Sequence, residues 1–274
     1  MSLMVWGTSS NAGKTVTCSI ICRYLHRKGV DVVPFKGSNL SLNSYVTESG
    51  AEIGMGQALQ AWACGMEPTA EMNPVLLKPE GNGKIQYVVN GSVYDTSAGR
   101  PDRKVLLAHA CDAYDRLSVE HDTVICEGSG APSEINLMNG DIANTGIVRQ
   151  RGMNVILVGD IERGGMFAAI YGTWLLIPED IRPLIKGFII NRFRGDVTIL
   201  DSGIRRIEEL TGMRCIGVMP YVKDVVLPEE DSVSRCKPHK EKFTDIRKRY
   251  DESLDLLTDL AEENLDMALL ESFI

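Results

Sequence analysis

Short apolar runs alternate with helical patterns along most of the 274-residue chain. Between the runs, apolar residues recur at helical spacing in segments such as ALQAWACGM, KVLLAHACDAYDRL and IRRIEELTG. Strands that alternate with helices are typical of an α/β fold with a doubly wound, mostly parallel sheet flanked by helices. We interpret as buried strands the runs at residues 3–6, 30–35, 123–127, 154–160, 186–191 and 215–219.

Two segments depart from this alternation. Residues 36–100 hold little regular signal apart from a helix near 52–64, and loops of that length are usually functional. The last segment has leucines at helical spacing after a polar stretch, which predicts one or two amphipathic helices. We therefore divide the chain into a main domain, 1–235, and a C-terminal helical extension, 236–274. We expect the extension to dock on the main domain.

Composition narrows the function classes. The formal net charge is −8, which argues against nucleic acid or an anionic membrane as a general partner. No apolar run is long enough to span a bilayer. Seven scattered cysteines without a C-x-x-C pair, and no signal peptide, predict reduced thiols and a cytoplasmic location. We expect Cys18 and Cys22 to be packed in the core.

Residues 7–15, GTSSNAGKT, lie between the first predicted strand and the first predicted helix. This is the context of a phosphate-binding loop, G-x-x-x-x-G-K-[ST], although one extra residue separates the glycines. Lys14, expected at the surface of the loop, would neutralise the β- and γ-phosphates of ATP, and the Thr15 hydroxyl would bind Mg²⁺. The residues predicted to contact the nucleotide here are Gly7, Thr8, Ser9, Ser10, Asn11, Ala12, Gly13, Lys14 and Thr15.

Charged side chains also follow other predicted strands, at the edge where ligands bind in such sheets. Lys36 follows the second strand, where it would face phosphate or an acidic substrate, and Glu127 ends the third. Mg²⁺ prefers few carboxylates together with water and phosphate oxygens. We therefore predict Thr15, Glu127 and Glu52 as metal ligands, and Lys36 and Glu127 as catalytic together with Lys14.

Two later loops, GDIERGG and NRFRGD, add further candidates. The first contains Asp160 and Arg163, and we predict that it senses the γ-phosphate, with Asp160 catalytic. In the second, Asn191 can read an adenine edge, and Arg192 and Arg194 can bind anions with paired donors. No cysteine in this chain follows a strand in the glycine-flanked setting of a nucleophile, and no His/Cys spacing is typical of zinc.

Six motifs together closely resemble the N-terminal domain of the cobyric acid synthase family, in the same order from about residue 3 to about 234. They are GTSSNAGKT, FKGSNLSLNSYVTESGAEIGMGQALQA, MNPVLLKPEG, EGSGAPSEINL, GDIERGG and NRFRGD. The wider group includes dethiobiotin synthetase, whose phosphate loop also has five residues between its glycines. The resemblance therefore accounts for the extra residue.

The resemblance implies a reaction. ATP·Mg²⁺ would phosphorylate a substrate carboxylate, and ammonia would displace phosphate from the acyl phosphate to leave an amide. In the family the substrate is cobyrinic acid a,c-diamide, a corrinoid polycarboxylate, which is amidated to cobyric acid in cobalamin biosynthesis. We expect residues 36–100 to form much of the corrinoid pocket. The predicted substrate-binding residues are Asn39, Ser41, Asn43, Lys78, Arg163 and Arg194.

The chain also departs from the family pattern. Trp6 replaces a glutamine, Gly37-Ser38 replaces Ala-Gln, and Glu162 replaces an aspartate. Family members continue into a glutaminase domain that generates ammonia, and we find none here. The glutaminase could be a separate subunit bound by the leucine stripe, the chain could be a piece of a longer protein, or free ammonia could be used. A homodimer is an open option.

Two other functions remain open. One is a dethiobiotin-synthetase-like ligase acting on another carboxylate. The other is an ATP-switched partner protein of the cell-division or plasmid-partition type, which shares the fold. Those proteins usually have a second lysine in the phosphate loop, whereas position 9 here is serine.

Overall fold

The computed structural model describes residues 1–81, 83–228 and 243–274. The strands are β1 Ser2–Gly7, β2 Val32–Phe35, β3 Asn39–Leu40, β4 Ser44–Val46, β5 Glu52–Gly54, β6 Val75–Gly81, β7 Lys84–Val89, β8 Ser92–Val93, β9 Thr123–Glu127, β10 Asn154–Asp160, β11 Ile185–Phe193 and β12 Arg214–Pro220. The α-helices are α1 Lys14–Arg27, α2 Met55–Ala63, α3 Arg103–Glu120, α4 Thr145–Arg151, α5 Met166–Leu176, α6 Asp201–Thr211, α7 Phe243–Asn264 and α8 Met267–Glu271.

The six apolar runs form one six-stranded sheet, in the order β12-β11-β10-β1-β9-β2. All five pairings between neighbouring strands are parallel. The predicted doubly wound α/β fold is therefore confirmed. β1 lies in the middle, with β9 on one side and β10 on the other, so chain order reverses there. Ligands bind at such a switch point, outside the carboxyl ends of the strands.

Helices cover both faces of this sheet, which explains why its strands read as continuous apolar runs. Alternate residues of β1 point to opposite faces. Met4 and Trp6 pack in one core layer with residues of α3, α4, α5 and α6. Leu3 and Val5 pack in the other with residues of α1, α2, α7 and α8.

The segment from 36 to 100 is more regular than its sequence pattern suggests. It contains a four-stranded sheet, β3-β6-β7-β8, and a two-stranded sheet, β4-β5. The prediction missed these strands because several are only two or three residues long, and because β6 and β7 mix apolar and polar residues. The helix predicted near 52–64 is confirmed as α2, but its first three residues form β5 instead.

The amphipathic C-terminal helices are confirmed, and they dock on the main domain. Leu254 and Ala261 of α7 are fully buried against the layer that includes α1. Arg27 of α1 lies 2.9 Å from Asp255 and 2.6 Å from Asp259 of α7. The proposed boundary at 235/236 and Cys236 lie outside the described residues, so the division into two domains stays a prediction. Cys18 and Cys22 are buried in the core.

No helix in the part of the chain that the structure describes has both the length and the apolar character needed to cross a membrane.

Candidate functional site

The predicted ligand loops after β1, β2 and β9 meet along one cleft of about 1170 Å³, to which the loop after β11 adds Arg192. No residue of the loop 159–165 is among its lining residues, so the catalytic role of Asp160 stays a prediction. The inner end of the cleft is lined by the loop after β1, the start of α1 and the end of β9. Its outer end is lined by β3, β6, β7 and the segment from 129 to 144. The cleft is somewhat larger than the range of about 300–1,000 Å³ typical of small-molecule sites. The cleft extends from the phosphate loop to β3, β6 and β7, so it offers surface for a second ligand beside a nucleotide.

The loop between β1 and α1 has the backbone of a phosphate-binding loop. Asn11 and Gly13 have positive φ angles of 59° and 105°, which turn the chain into the first turn of α1. A Cβ atom on Gly13 would lie 2.1 Å from Asn191 Nδ2. That amide donates to Ala12 O at 3.0 Å, so the end of β11 is tied to the loop. The adenine contact predicted for Asn191 stays a prediction.

Lys14 differs from the sequence expectation in one respect. We expected it at the surface of the loop, but only 7% of it is exposed. Its Nζ donates to Ser9 O at 3.0 Å, because the side chain folds back along its own loop. The ammonium is thus held beside the amides that would face a phosphate, and its charge is partly shielded from water.

Glu127 is the centre of a buried polar cluster. Its carboxylate, 1% exposed, ends β9 at the floor of the cleft. Oε1 accepts from Thr15 Oγ1 at 2.8 Å and from Lys36 Nζ at 2.9 Å. The structure therefore brings together the phosphate-loop threonine, the strand-end carboxylate and the lysine after β2, as predicted. Their roles in metal binding and catalysis stay predictions.

Sequence reasoning missed two glutamines of α2. The Nε2 atoms of Gln57 and Gln60 lie 3.2 and 2.6 Å from Glu127 Oε2. Both glutamines are fully buried. Asn39, predicted to bind substrate, instead donates to Gln57 Oε1 at 3.0 Å, although it also lines the cleft. The only sequence signal was their i, i+3 spacing, which places both on one face of a helix.

Glu52 was predicted as a third metal ligand, but its carboxylate is engaged elsewhere. It accepts hydrogen bonds from Lys78 Nζ and Ser44 Oγ. Burial raises the pKa of Glu52, but the Lys78 ammonium and the Ser44 hydroxyl outweigh it and hold the pKa below its usual value. Glu52 and Lys78 therefore form a pair on the small sheets, and neither is among the residues lining the cleft. Their metal and substrate roles stay predictions without support from this geometry.

The remaining predicted loop residues are partly paired with one another. Asp160 accepts from Arg192 Nη1 at 2.8 Å, and Glu162 lies 2.9 Å from Arg194 Nη2. The Arg194 guanidinium also stacks on the Tyr221 ring, 3.5 Å from its centroid. Arg192 lines the cleft. Arg194 and the exposed Arg163 are not among the lining residues, and their substrate contacts stay predictions.

The outer cleft combines apolar side chains with cations. Leu40 and Leu42 are 51% and 43% exposed, and Leu137 is 52% exposed, although all three line the cleft. Arg100 and Arg103 line the same end. Ser41 also lines it, whereas Asn43, whose backbone N–H donates to Ser41 Oγ, is not among the lining residues. Glu134 and Asp141 line this end as well, so its surface combines apolar side chains with charges of both signs.

The donor set suits a metal bound together with a nucleotide. Thr15 and Glu127 provide a hydroxyl and a carboxylate, both oxygen ligands of the kind that Mg²⁺ prefers. Among the described residues, no group of three or more His, Cys, Asp or Glu side chains could hold a metal by itself. Phosphate and water oxygens would have to complete the coordination, as is usual for Mg²⁺ at ATP sites.

The thiols near the site are poor nucleophiles. Cys18 of α1 and Cys126 of β9 are fully buried. Burial is the main cause that raises the pKa of each thiol, which keeps both protonated at neutral pH. Covalent catalysis by either cysteine is therefore disfavoured.

Comparisons with known proteins show the family to which the chain belongs. Residues 3–233 match the family described as the CobQ/CobB/MinD/ParA nucleotide binding domain. A probable cobyric acid synthase of Methanosphaerula palustris is 51% identical over 237 residues, which are 85% of this chain and 48% of that protein. The cobyric acid synthase of Vibrio parahaemolyticus is 47% identical over 236 residues, 85% of this chain and 49% of that protein. The resemblance inferred from the motifs is confirmed.

The chain spans about half the length of these curated relatives. Among solved structures, the MinC:MinD cell division protein complex of Aquifex aeolicus matches with a TM-score of 0.50 and 13% identity. That match covers 96% of this chain and 94% of the other. At such low identity it shows the fold alone.

Proposed function

This chain belongs to the CobQ/CobB/MinD/ParA nucleotide-binding domain family, and on that premise we propose that it binds ATP·Mg²⁺ and uses it to amidate carboxylates of a corrinoid. The substrate would be cobyrinic acid a,c-diamide and the product cobyric acid. One observation carries the proposal. The Thr15–Glu127–Lys36 cluster lies at the floor of a cleft that extends beyond the phosphate loop to the small sheet.

The inner end of the cleft would bind the triphosphate. Backbone N–H groups of the loop and the first turn of α1 would hold the phosphates, with the positive end of the helix dipole beside them. Lys14 would lie against the β- and γ-phosphates. When bound, Mg²⁺ would neutralise further charge on these oxygens, and Thr15 and Glu127 would hold it.

The reaction needs positioning more than covalent chemistry. A carboxylate oxygen of the substrate would attack the γ-phosphorus as ADP leaves, giving an acyl phosphate. Ammonia would then attack the acyl carbon, phosphate would leave, and one ammonia proton would go to the phosphate. Lys14 and Lys36 would stabilise the charge that moves during the first step, since phosphoryl transfer is accelerated largely by fixed charges.

The outer end of the cleft would hold the corrinoid. Leu40, Leu42 and Leu137 offer apolar surface to a macrocycle face, and Arg100 and Arg103 offer charge to its peripheral carboxylates. Glu134 and Asp141 line the same end of the cleft, so the two arginines would act as local charges for individual carboxylates and not as part of a uniformly positive wall. The ammonia would come from a glutaminase subunit or domain, or from solution.

The dependence of ADP release on the second ligand tests this function. We expect sustained release to require both the corrinoid and ammonium, because the acyl phosphate forms only on a bound carboxylate and is consumed when ammonia attacks it. Rates would be measured with ATP·Mg²⁺ alone, with each addition, and with both. Equal ADP release in all four mixtures would contradict the ligase function and favour an ATP-driven switch. Release stimulated only by a different carboxylate would favour the dethiobiotin-synthetase-like alternative.

A further inference from the structure

Two buried amides from one helix meet on a single carboxylate oxygen. Gln57 and Gln60 lie one turn apart on α2, and both point their Nε2 atoms at Glu127 Oε2. The other oxygen, Oε1, accepts from Thr15 and Lys36. The two carboxylate oxygens therefore have different partners. Oε2 accepts from two neutral amides, whereas Oε1 accepts from the phosphate-loop threonine and from Lys36.

We propose that Gln57 and Gln60 are positioning residues that fix the Glu127 carboxylate for the metal of ATP. This inference rests on the metal assignment within the proposed function, but not on the corrinoid. Ligands of a metal are usually oriented by hydrogen bonds from residues behind them, and these partners tune the affinity. Here they hold Oε2, which leaves Oε1 facing Thr15.

An amide suits this task better than a charged group. Lys36 already supplies one ammonium to this carboxylate, and two neutral donors satisfy Oε2 without adding a second positive charge that would repel a cation. Hydrogen bonds to charged groups are also stronger than those between neutral groups, by roughly twofold. The 2.6 Å contact from Gln60 is the shorter of the two, so Gln60 should contribute more.

The Oε1 atoms of the two glutamines differ in their hydrogen bonding. Gln57 Oε1 accepts from Asn39, which lines the cleft, so Gln57 links the cleft wall to Glu127. Within the described residues, Gln60 Oε1 is buried and has no hydrogen-bond partner. Burying such an atom costs free energy. The Nε2 atom of Gln60 offsets part of this cost, because it donates to Glu127 Oε2 at 2.6 Å and to Thr15 O at 3.4 Å.

The test compares nucleotide binding with and without Mg²⁺. A non-hydrolysable ATP analogue would be titrated calorimetrically into wild type, Gln60→Met and Gln57→Met, in excess Mg²⁺ and in excess EDTA. We expect wild type to bind more tightly with Mg²⁺. In Gln60→Met that enhancement should fall by about tenfold, the lower end of the usual effect of such outer partners. The loss in Gln57→Met should be smaller.

The affinity measured without Mg²⁺ distinguishes a positioning role from a merely structural one. If the glutamines position Glu127, the metal-free affinity should stay within about twofold of wild type, because neither glutamine lines the cleft and the contact from Gln60 Nε2 to Thr15 O is long, at 3.4 Å. Thr258→Val provides a matched control: it removes another fully buried polar group, which bonds Leu254 O within α7, and should leave both affinities unchanged. Thermal unfolding of every variant would verify folding, and Gln57→Met carries the test if Gln60→Met does not fold.

Two results would overturn the inference. One is an unchanged Mg²⁺ enhancement in both folded variants. The other is an equal loss of affinity with and without Mg²⁺, which would indicate a general structural defect. If wild type itself binds the analogue equally in Mg²⁺ and EDTA, the metal assignment and this inference both fail. Amidation assays can still test the corrinoid separately.

Discussion

Replacing Lys14 with alanine is expected to lower ATP-dependent turnover by about 1000-fold. A fixed donor aimed at charge that develops in a transition state is worth about 10²–10³ in rate, and this lysine is also shielded from water. The ammonium is held at 3.0 Å from Ser9 O, beside the turn into α1. No neighbouring side chain of the loop could replace its charge, since residues 7–13 are all uncharged.

The fold should survive this change. Lys14 Nζ donates to the backbone oxygen of the exposed Ser9, which water can satisfy in the variant, so we expect the free energy of unfolding to fall by only about 1 kcal/mol. Steady-state ADP release and urea unfolding would be measured together. Lys248→Ala, at a side chain 78% exposed on α7, is the control and should match wild type in both. Full activity in Lys14→Ala would show that the phosphate-site assignment is wrong.

Replacing Lys36 with methionine should have the largest effect on stability. Lys36 Nζ and Glu127 Oε1 lie 2.9 Å apart, with side chains only 5% and 1% exposed. Removing one partner of a buried ion pair typically costs about 3–5 kcal/mol, because the other charge stays buried without its counterion. The remaining donors that contact Glu127, from Thr15 and the two glutamines, are all neutral. We therefore expect a loss of about 3 kcal/mol, together with a large loss of turnover.

The response to Mg²⁺ distinguishes the unpaired charge of Glu127 from a general packing defect as the cause of the lost stability. A divalent cation at Thr15 and Glu127 would restore the missing positive charge, so Mg²⁺ with the ATP analogue should stabilise Lys36→Met more than wild type. Denaturant unfolding with and without both ligands would measure the difference. Lys186→Met, which removes a lysine at the start of β11, is the matched control. An unfolding free energy equal to wild type in Lys36→Met would contradict the buried ion pair.

The central fold could be predicted because its signal is local. Each strand of the large sheet is buried on both faces, so each appears as a continuous apolar run, and β9 and β10 were located to the residue. The phosphate loop and Glu127 were predicted for a related reason, since parallel strands bring their carboxyl ends to one edge. The small sheets of residues 36–100 were missed because their strands are short and half-exposed.

The residues behind the site could not be predicted in the same way. Gln57 and Gln60 appear in the sequence as polar positions of a helix, and such positions usually face water. Only the position of α2, packed against α1 and β2, reveals that they are buried on Glu127. Conversely, Glu52 was a reasonable candidate because glutamate can bind a metal. In the structure it lies on the β4-β5 hairpin, and its carboxylate accepts a hydrogen bond from Lys78 on the neighbouring small sheet.

The mass of the corrinoid after incubation tests the central claim most directly. The protein would be mixed with ATP, Mg²⁺, ammonium chloride and cobyrinic acid a,c-diamide, and the corrinoid followed by mass spectrometry. We predict successive decreases, each equal to the exchange of one OH for one NH₂, with one ADP formed per step and none in Lys14→Ala. ADP formation with no change in the mass of the corrinoid would contradict the account.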